Sequence, residues 1–215
     1  MTTKALLKAV DYAILKPEAS MHDVLHAADL CREHHVGCLC VKSCDVRFAA
    51  ECLQDSDTLV AAVIGFPHGN TLGSLKALEA QLAVAQGASE IDMVINISAL
   101  KDGDTEGVED EIRAVVTAAW PHPVKVILET ALLTPAEIRK GVTCAIRAKA
   151  AFVKTSTGFA PQGGATPEAV KLMLSAAKGK IKVKASGGIR TRADAEAYLE
   201  MGCKRLGVGN LSPLL

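Results

Sequence analysis

Short runs in which apolar residues alternate with polar ones, or stand unbroken, recur along the chain, separated by longer stretches with helical spacing. Alternation marks a strand with two different faces, and a short unbroken run marks a strand buried on both. On this pattern strands are expected near residues 11–15, 38–41, 59–65, 90–95, 124–129, 151–156, 181–186 and 205–208, the first with the weakest pattern. Helix starts lie between them. Ser20-Met21-His22-Asp23, Thr134-Pro135-Ala136-Glu137, Thr166-Pro167-Glu168 and Thr191-Arg192-Ala193-Asp194 each offer a hydroxyl cap with an acid in the first turn or a proline at the first helical position. Several helices close on glycine just before a strand, at Gly37, Gly87 and Gly202, where a left-handed cap is expected. His34-His35 reads as a helix end, not as a ligand pair.

A string of strand and helix units this long predicts an α/β chain folded as one (β/α)₈ barrel domain over residues 1–215, with a short helical extension ahead of the first strand. An open doubly wound sheet would place a glycine-rich turn after its first strand, and no G-x-G-x-x-G or Walker pattern opens any helix.

The same alternation points charged groups inward. In Phe152-Val153-Lys154-Thr155, Ile181-Lys182-Val183-Lys184-Ala185 and Glu90-Ile91-Asp92-Met93, the residues flanking Lys154, Lys184 and Asp92 face the other way. Lys125 and Glu129 share one face of the fifth strand by the same rule. One such lysine is readily explained as a solvated or paired strand end. Two lysines and a carboxylate from three strands are not, because an unpaired buried ammonium costs several kcal/mol or gives up its proton. Two ammonium groups about 5 Å apart at an effective dielectric of about 20 repel by roughly 3 kcal/mol, or about two pKa units. One amine would then be free to attack a carbonyl while the other stays protonated, with Asp92 moving protons between carbinolamine, imine and enamine. That is the chemistry of an imine-forming aldolase.

Composition narrows the partners. The chain has 215 residues, 49% of them hydrophobic but only 3% aromatic, so its core must be aliphatic, as suits strands covered by helices. Its 24 basic and 24 acidic residues cancel, which argues against a nucleic-acid or anionic-membrane surface. The N-terminal stretch Met1-Thr2-Thr3-Lys4-Ala5-Leu6-Leu7-Lys8 lacks the long apolar segment of a signal peptide or membrane span, and a cytoplasmic location is expected. None of the seven cysteines forms a C-x-x-C pair; Cys38 and Cys40 lie in an apolar run and read as reduced, buried thiols, not metal ligands.

The segments Phe152 to Phe159 (F-V-K-T-S-T-G-F), Gly163-Gly164-Ala165-Thr166, Lys184 to Thr191 (K-A-S-G-G-I-R-T), Glu90 to Asn96 (E-I-D-M-V-I-N) and Val126 to Thr130 (V-I-L-E-T) together resemble the deoxyribose-phosphate aldolase family. The resemblance runs from residue 59 almost to the end of the chain. It implies a TIM-barrel class I aldolase that reversibly cleaves 2-deoxy-D-ribose 5-phosphate to acetaldehyde and D-glyceraldehyde 3-phosphate without metal or cofactor. It also implies roles: Lys154 as the imine-forming lysine, Lys184 as the lysine that perturbs it, and Asp92 as the proton relay. Substrate and phosphate contacts would come from Gly158, Gly187, Gly188, Gly207, Gly209, Asn210, Lys125 and Cys40, with the helix opening near Thr191 at hand. The partner implied is a small sugar phosphate, with a homo-oligomer, dimer or tetramer, also expected.

The chain departs from the family pattern in places. Ala13 stands where a threonine is usual, Lys42-Ser43 where Asn-Pro is usual, and Gly209-Asn210 where two serines are usual, while Phe159 replaces a lysine of some members. The sequence ends at Leu215, short of a terminal tyrosine tail that some members carry. These departures leave two alternatives open at the level of sequence: another sugar-phosphate barrel enzyme, imine-forming or pyridoxal phosphate-dependent, and a non-catalytic paralogue that binds a sugar phosphate.

Overall fold

The computed structural model describes all 215 residues and forms a closed barrel of eight parallel strands. These are β1 (Val10–Ile14), β2 (Cys38–Val41), β3 (Leu59–Ile64), β4 (Glu90–Val94), β5 (Val124–Ile127), β6 (Phe152–Lys154), β7 (Lys182–Ser186) and β8 (Arg205–Val208). Each pairs with the next in chain order, and β8 closes on β1. Parallel neighbours require a crossover, supplied by α2 (Met21–His34), α3 (Val46–Cys52), α4 (Gly73–Ala85), α5 (Ile97–Asp102) with α6 (Thr105–Ala119), α7 (Pro135–Arg147), α8 (Pro167–Ala177) and α9 (Arg192–Glu200). The expected extension is α1 (Thr3–Lys8), whose Leu6 and Leu7 are buried. An aliphatic core, rich in Val, Ile, Leu and Ala, fills the space between barrel and helices.

The helix starts form as their chemistry dictates. Ser20, Thr134 and Thr191 close capping boxes with Asp23, Glu137 and Asp194, and Thr166 caps α8 ahead of Pro167. Of the expected glycine caps, Gly87 (φ 109°) after α4 and Gly202 (φ 117°) after α9 take positive φ, and Gly37 turns out differently. The left-handed residue that ends α2 is His35, at φ 52°, and Gly37 is needed for another reason. A Cβ at Gly37 would lie 2.2 Å from the carbonyl oxygen of Lys8, so only glycine lets the end of α1 pack against the start of β2.

Several strands end earlier than their apolar runs. β5 stops at Ile127, because Glu129 enters the left-handed region at φ 57° and starts a 3₁₀ turn at Thr130. β6 stops at Lys154, although Thr155 still donates its N–H to the Lys184 carbonyl. On β6 the chain thus leaves the barrel wall immediately after Lys154.

One helix reverses the usual arrangement, in which charges face water and leucines face the core. On α4, Lys76 is buried and bonds Glu111 (2.8 Å) and the carbonyls of Gly69 and Val94, while Glu79 accepts from the Gly65 N–H and Ser43. The outward face carries Leu75, Leu78 and Leu82, with Leu72 just before the helix, each 49–70% exposed.

Candidate active site

Inside the barrel, apolar packing gives way to charge. Asp11 on β1, Glu90 and Asp92 on β4, Lys125 on β5, Lys154 on β6, Lys184 on β7 and Arg205 on β8 all point inward and touch one another. Strand register fixes the grouping: Asp92 stands beside Lys125, Lys154 beside Lys184, and Lys184 beside Arg205.

Asp92 is the hub. Its Oδ1 accepts from Lys125 Nζ at 2.7 Å, and its Oδ2 accepts from both Lys154 Nζ (2.9 Å) and Lys184 Nζ (2.7 Å). Because the two amines share one oxygen, they cannot be farther apart than those two bonds laid end to end. The proximity expected of Lys154 and Lys184 is therefore present. Burial alone would raise the Asp92 carboxyl, but Lys125, Lys154 and Lys184 outweigh it and hold the group well below the ordinary carboxylate value. Burial likewise opposes the charge on Lys184, yet Asp11 and Asp92 raise it above an ordinary lysine, and Lys125 is raised in the same way by Asp92 and Asp11. Lys125 and Lys184 are fixed as ammonium groups.

A cavity of about 580 Å³ opens at the C-terminal ends of the strands, where barrel enzymes place their reacting groups. Lys154, Lys184, Cys40, Gly158, Gly187, Gly188, Gly207 and Gly209 line it, as the family pattern implies. Asp92 lies directly beneath, with no exposure of its own, and meets the cavity only through the amines of Lys154 and Lys184. Lys125 and Asn210 do not line the cavity: Lys125 is fully buried against Asp92 and Glu90, and the Asn210 side chain accepts from the Ser212 N–H at 3.1 Å. The helix opening near Thr191 is also already in use. The Asp194 carboxylate accepts from the N–H groups of Arg190 (3.3 Å) and Thr191 (3.1 Å), which occupies the donors an anion would need.

Glu129 sits beyond the strand, its carboxylate bonded by the Thr157 hydroxyl and N–H and raised by burial. At the rim Phe159 stacks edge-on against Phe66, ring centres 5.2 Å apart. Cys38 and Cys40 pack with Leu15, Ala61 and Val63 as small apolar groups, their thiols pushed up by burial, Cys40 to about 11. Ligand atoms of Asp11, Cys38 and Glu90 lie within 4.8 Å of one another, but Arg205, Lys125 and Lys184 already hold those carboxylates, and a metal ion there would meet three cations.

Asp11, Glu90 and Arg205 belong to the cluster without having been singled out from sequence. The signal was the alternation itself: Glu90 is two residues before Asp92, and Arg205 and Asp11 each stand beside apolar residues that face the other way.

The chain is similar to known proteins along most of its length. A curated deoxyribose-phosphate aldolase of Staphylococcus carnosus is 48% identical over 93% of this chain and 90% of its own, and one of Staphylococcus aureus strain COL matches to the same extent. The tetrameric deoxyribose phosphate aldolase structure from Aeropyrum pernix superposes with a TM-score of 0.92 at 30% identity, covering 99% of this chain and 90% of that one. The family model described as DeoC/LacD family aldolase matches residues 5–210, a span that holds every member of the buried cluster and the whole cavity, so the chain belongs to the DeoC/LacD aldolases.

Proposed function

We propose that this protein is a class I aldolase that reversibly cleaves 2-deoxy-D-ribose 5-phosphate to acetaldehyde and D-glyceraldehyde 3-phosphate, with Lys154 as the nucleophile. The observation that carries the reading is the position of Lys154. Its amine faces the cavity while resting on an Asp92 oxygen that it shares with a permanently charged Lys184. Four cations meet three carboxylates in the cluster, which becomes neutral when one amine releases its proton. Lys154 has a single carboxylate contact, whereas Lys125, Lys184 and Arg205 each have at least two.

The reaction then follows in balanced steps. The Lys154 nitrogen attacks C1 of the open-chain sugar, and loss of water leaves a protonated imine. A base removes the proton from the C3 hydroxyl, the C2–C3 bond breaks, and its electron pair enters the imine as an enamine while glyceraldehyde 3-phosphate departs. Protonation of the enamine at C2 and attack by water release acetaldehyde and the free amine. Lys184 supplies the field that favours proton donation towards the imine, and Asp92, bonded to the Lys154 amine, takes up and returns protons there.

The test is direct. Purified protein with deoxyribose 5-phosphate should release acetaldehyde, read by coupled oxidation of NADH, and no release would overturn the reading.

Self-association belongs to the same proposal. A charge-free helix face with four exposed leucines is the kind of surface that a second copy covers, and the Aeropyrum pernix relative is tetrameric. No helix is long and apolar enough to cross a membrane.

A further inference from the structure

Two charges of the cluster, buried Glu90 and partly buried Arg205, take no part in these steps. Glu90 and Arg205 are the first residues of β4 and β8, at the end of the barrel interior away from the cavity, and neither lines it. Arg205 Nη2 donates to Glu90 Oε1 at 2.6 Å, and its Nη1 donates to Asp11. The other Glu90 oxygen lies 2.6 Å from Lys125 Nζ without hydrogen-bond alignment. Through Asp11 the pair reaches Lys184, and through Lys125 it reaches Asp92, the two partners that surround Lys154.

We propose that Glu90 and Arg205 are positioning residues for imine formation, which together set the charge of the cluster beneath Lys154 and hence the pH at which its amine attacks. The inference rests on the imine reading of Lys154. A pair that served only packing could be apolar, since a buried ion pair is often no more stable than hydrophobic residues of equal volume.

Every strand around Lys154 enters the charge count. β1 supplies Asp11, β4 supplies Glu90 and Asp92, β5 supplies Lys125, β7 supplies Lys184 and β8 supplies Arg205. β3 offers only Ala61 and Val63, and the β2 thiols stay neutral near pH 7 because burial pushes them up. Beyond β5, Glu129 is engaged by Thr157. Fully ionised, the set carries one surplus positive charge, four cations against three anions. Removing Glu90's charge raises the surplus to two and favours loss of the Lys154 proton. Removing Arg205's charge cancels the surplus and favours keeping it.

The experiment is borohydride trapping of acetaldehyde on Lys154 as a function of pH, read by intact mass and peptide mapping. The rising limb should move down by about one pH unit in Glu90→Gln and up by about one in Arg205→Gln, the shift one unit charge produces at about 10 Å and an effective dielectric of about 20. It should return to the wild-type position in the double variant Glu90→Gln/Arg205→Gln, and should stay there in Arg205→Lys. A packing role would lower the yield without these opposite displacements. If one single variant fails to fold, the other still decides, because each has its own direction. A limb that stays fixed, or moves the same way in both, overturns the proposal. Failure of the wild type to trap acetaldehyde at any pH would instead overturn the imine reading beneath it.

Discussion

At the scale of single residues, the buried charges act as a unit, and Asp92 is its centre. Three ammonium groups bond its two oxygens. Asp92→Asn keeps the shape but cannot accept a proton, so deuterium exchange into acetaldehyde should fall by about 10²-fold or more; near-normal exchange would move the relay to Glu129. Asp92→Ala tests the stability side, because it leaves three cations without their shared partner and should cost about 3–5 kcal/mol at pH 7 in denaturant unfolding. Asp11 and Asp92 both titrate below the ordinary value of 3.8 in the folded protein. Their contribution is present above that value and is lost as pH falls through the lower folded-state values. The gap between wild type and Asp92→Ala should therefore narrow toward pH 2, and a gap that stays constant would mean the carboxylate is not what stabilises the cluster. Lys154, Lys184 and Asp92 were legible in the sequence because strand alternation isolates a charge among apolar residues. Lys125 misled for the same reason: alternation says which face a side chain takes, not whether it lies above or below the floor of the cavity.

At the scale of elements, strand order and helix starts could be read directly, since period and cap chemistry are local. Strand ends could not. They depend on tertiary contacts such as the left-handed turn at Glu129, which Thr157, on the next loop, helps to hold through the carboxylate. The β6 and β7 loops meet in the same way. A Cβ on Gly164 would lie 2.3 Å from the Gly187 carbonyl carbon, and the Ala165 N–H bonds the Gly187 oxygen at 2.9 Å. Gly187 lines the cavity, so Gly164→Ala should push that wall inward. The expected result is a rise in KM for deoxyribose 5-phosphate of about tenfold with kcat less affected, as loss of substrate binding alone would give. An unchanged KM would show that the wall does not touch the substrate.

For the whole molecule, the closed barrel brings together residues spread from Asp11 to Arg205, a convergence that only the complete ring of strands achieves. Its outer surface carries one feature that composition hid. Total hydrophobicity shows nothing unusual, yet α4 turns its charges inward and its leucines outward because Lys76 and Glu79 are needed to hold the loop after β3. Leu75→Lys with Leu82→Lys should shift the protein to monomer in light scattering while leaving the Lys154 cluster intact; an unaltered mass would place any interface elsewhere. The central claim is that Lys154, out of a set of buried amines, is the one that bonds covalently to substrate. Acetaldehyde with borohydride should add one two-carbon unit to the protein, mapped to the peptide that holds Lys154 and absent in Lys154→Arg, whereas the same label in that variant, or on Lys125 or Lys184, would contradict the account.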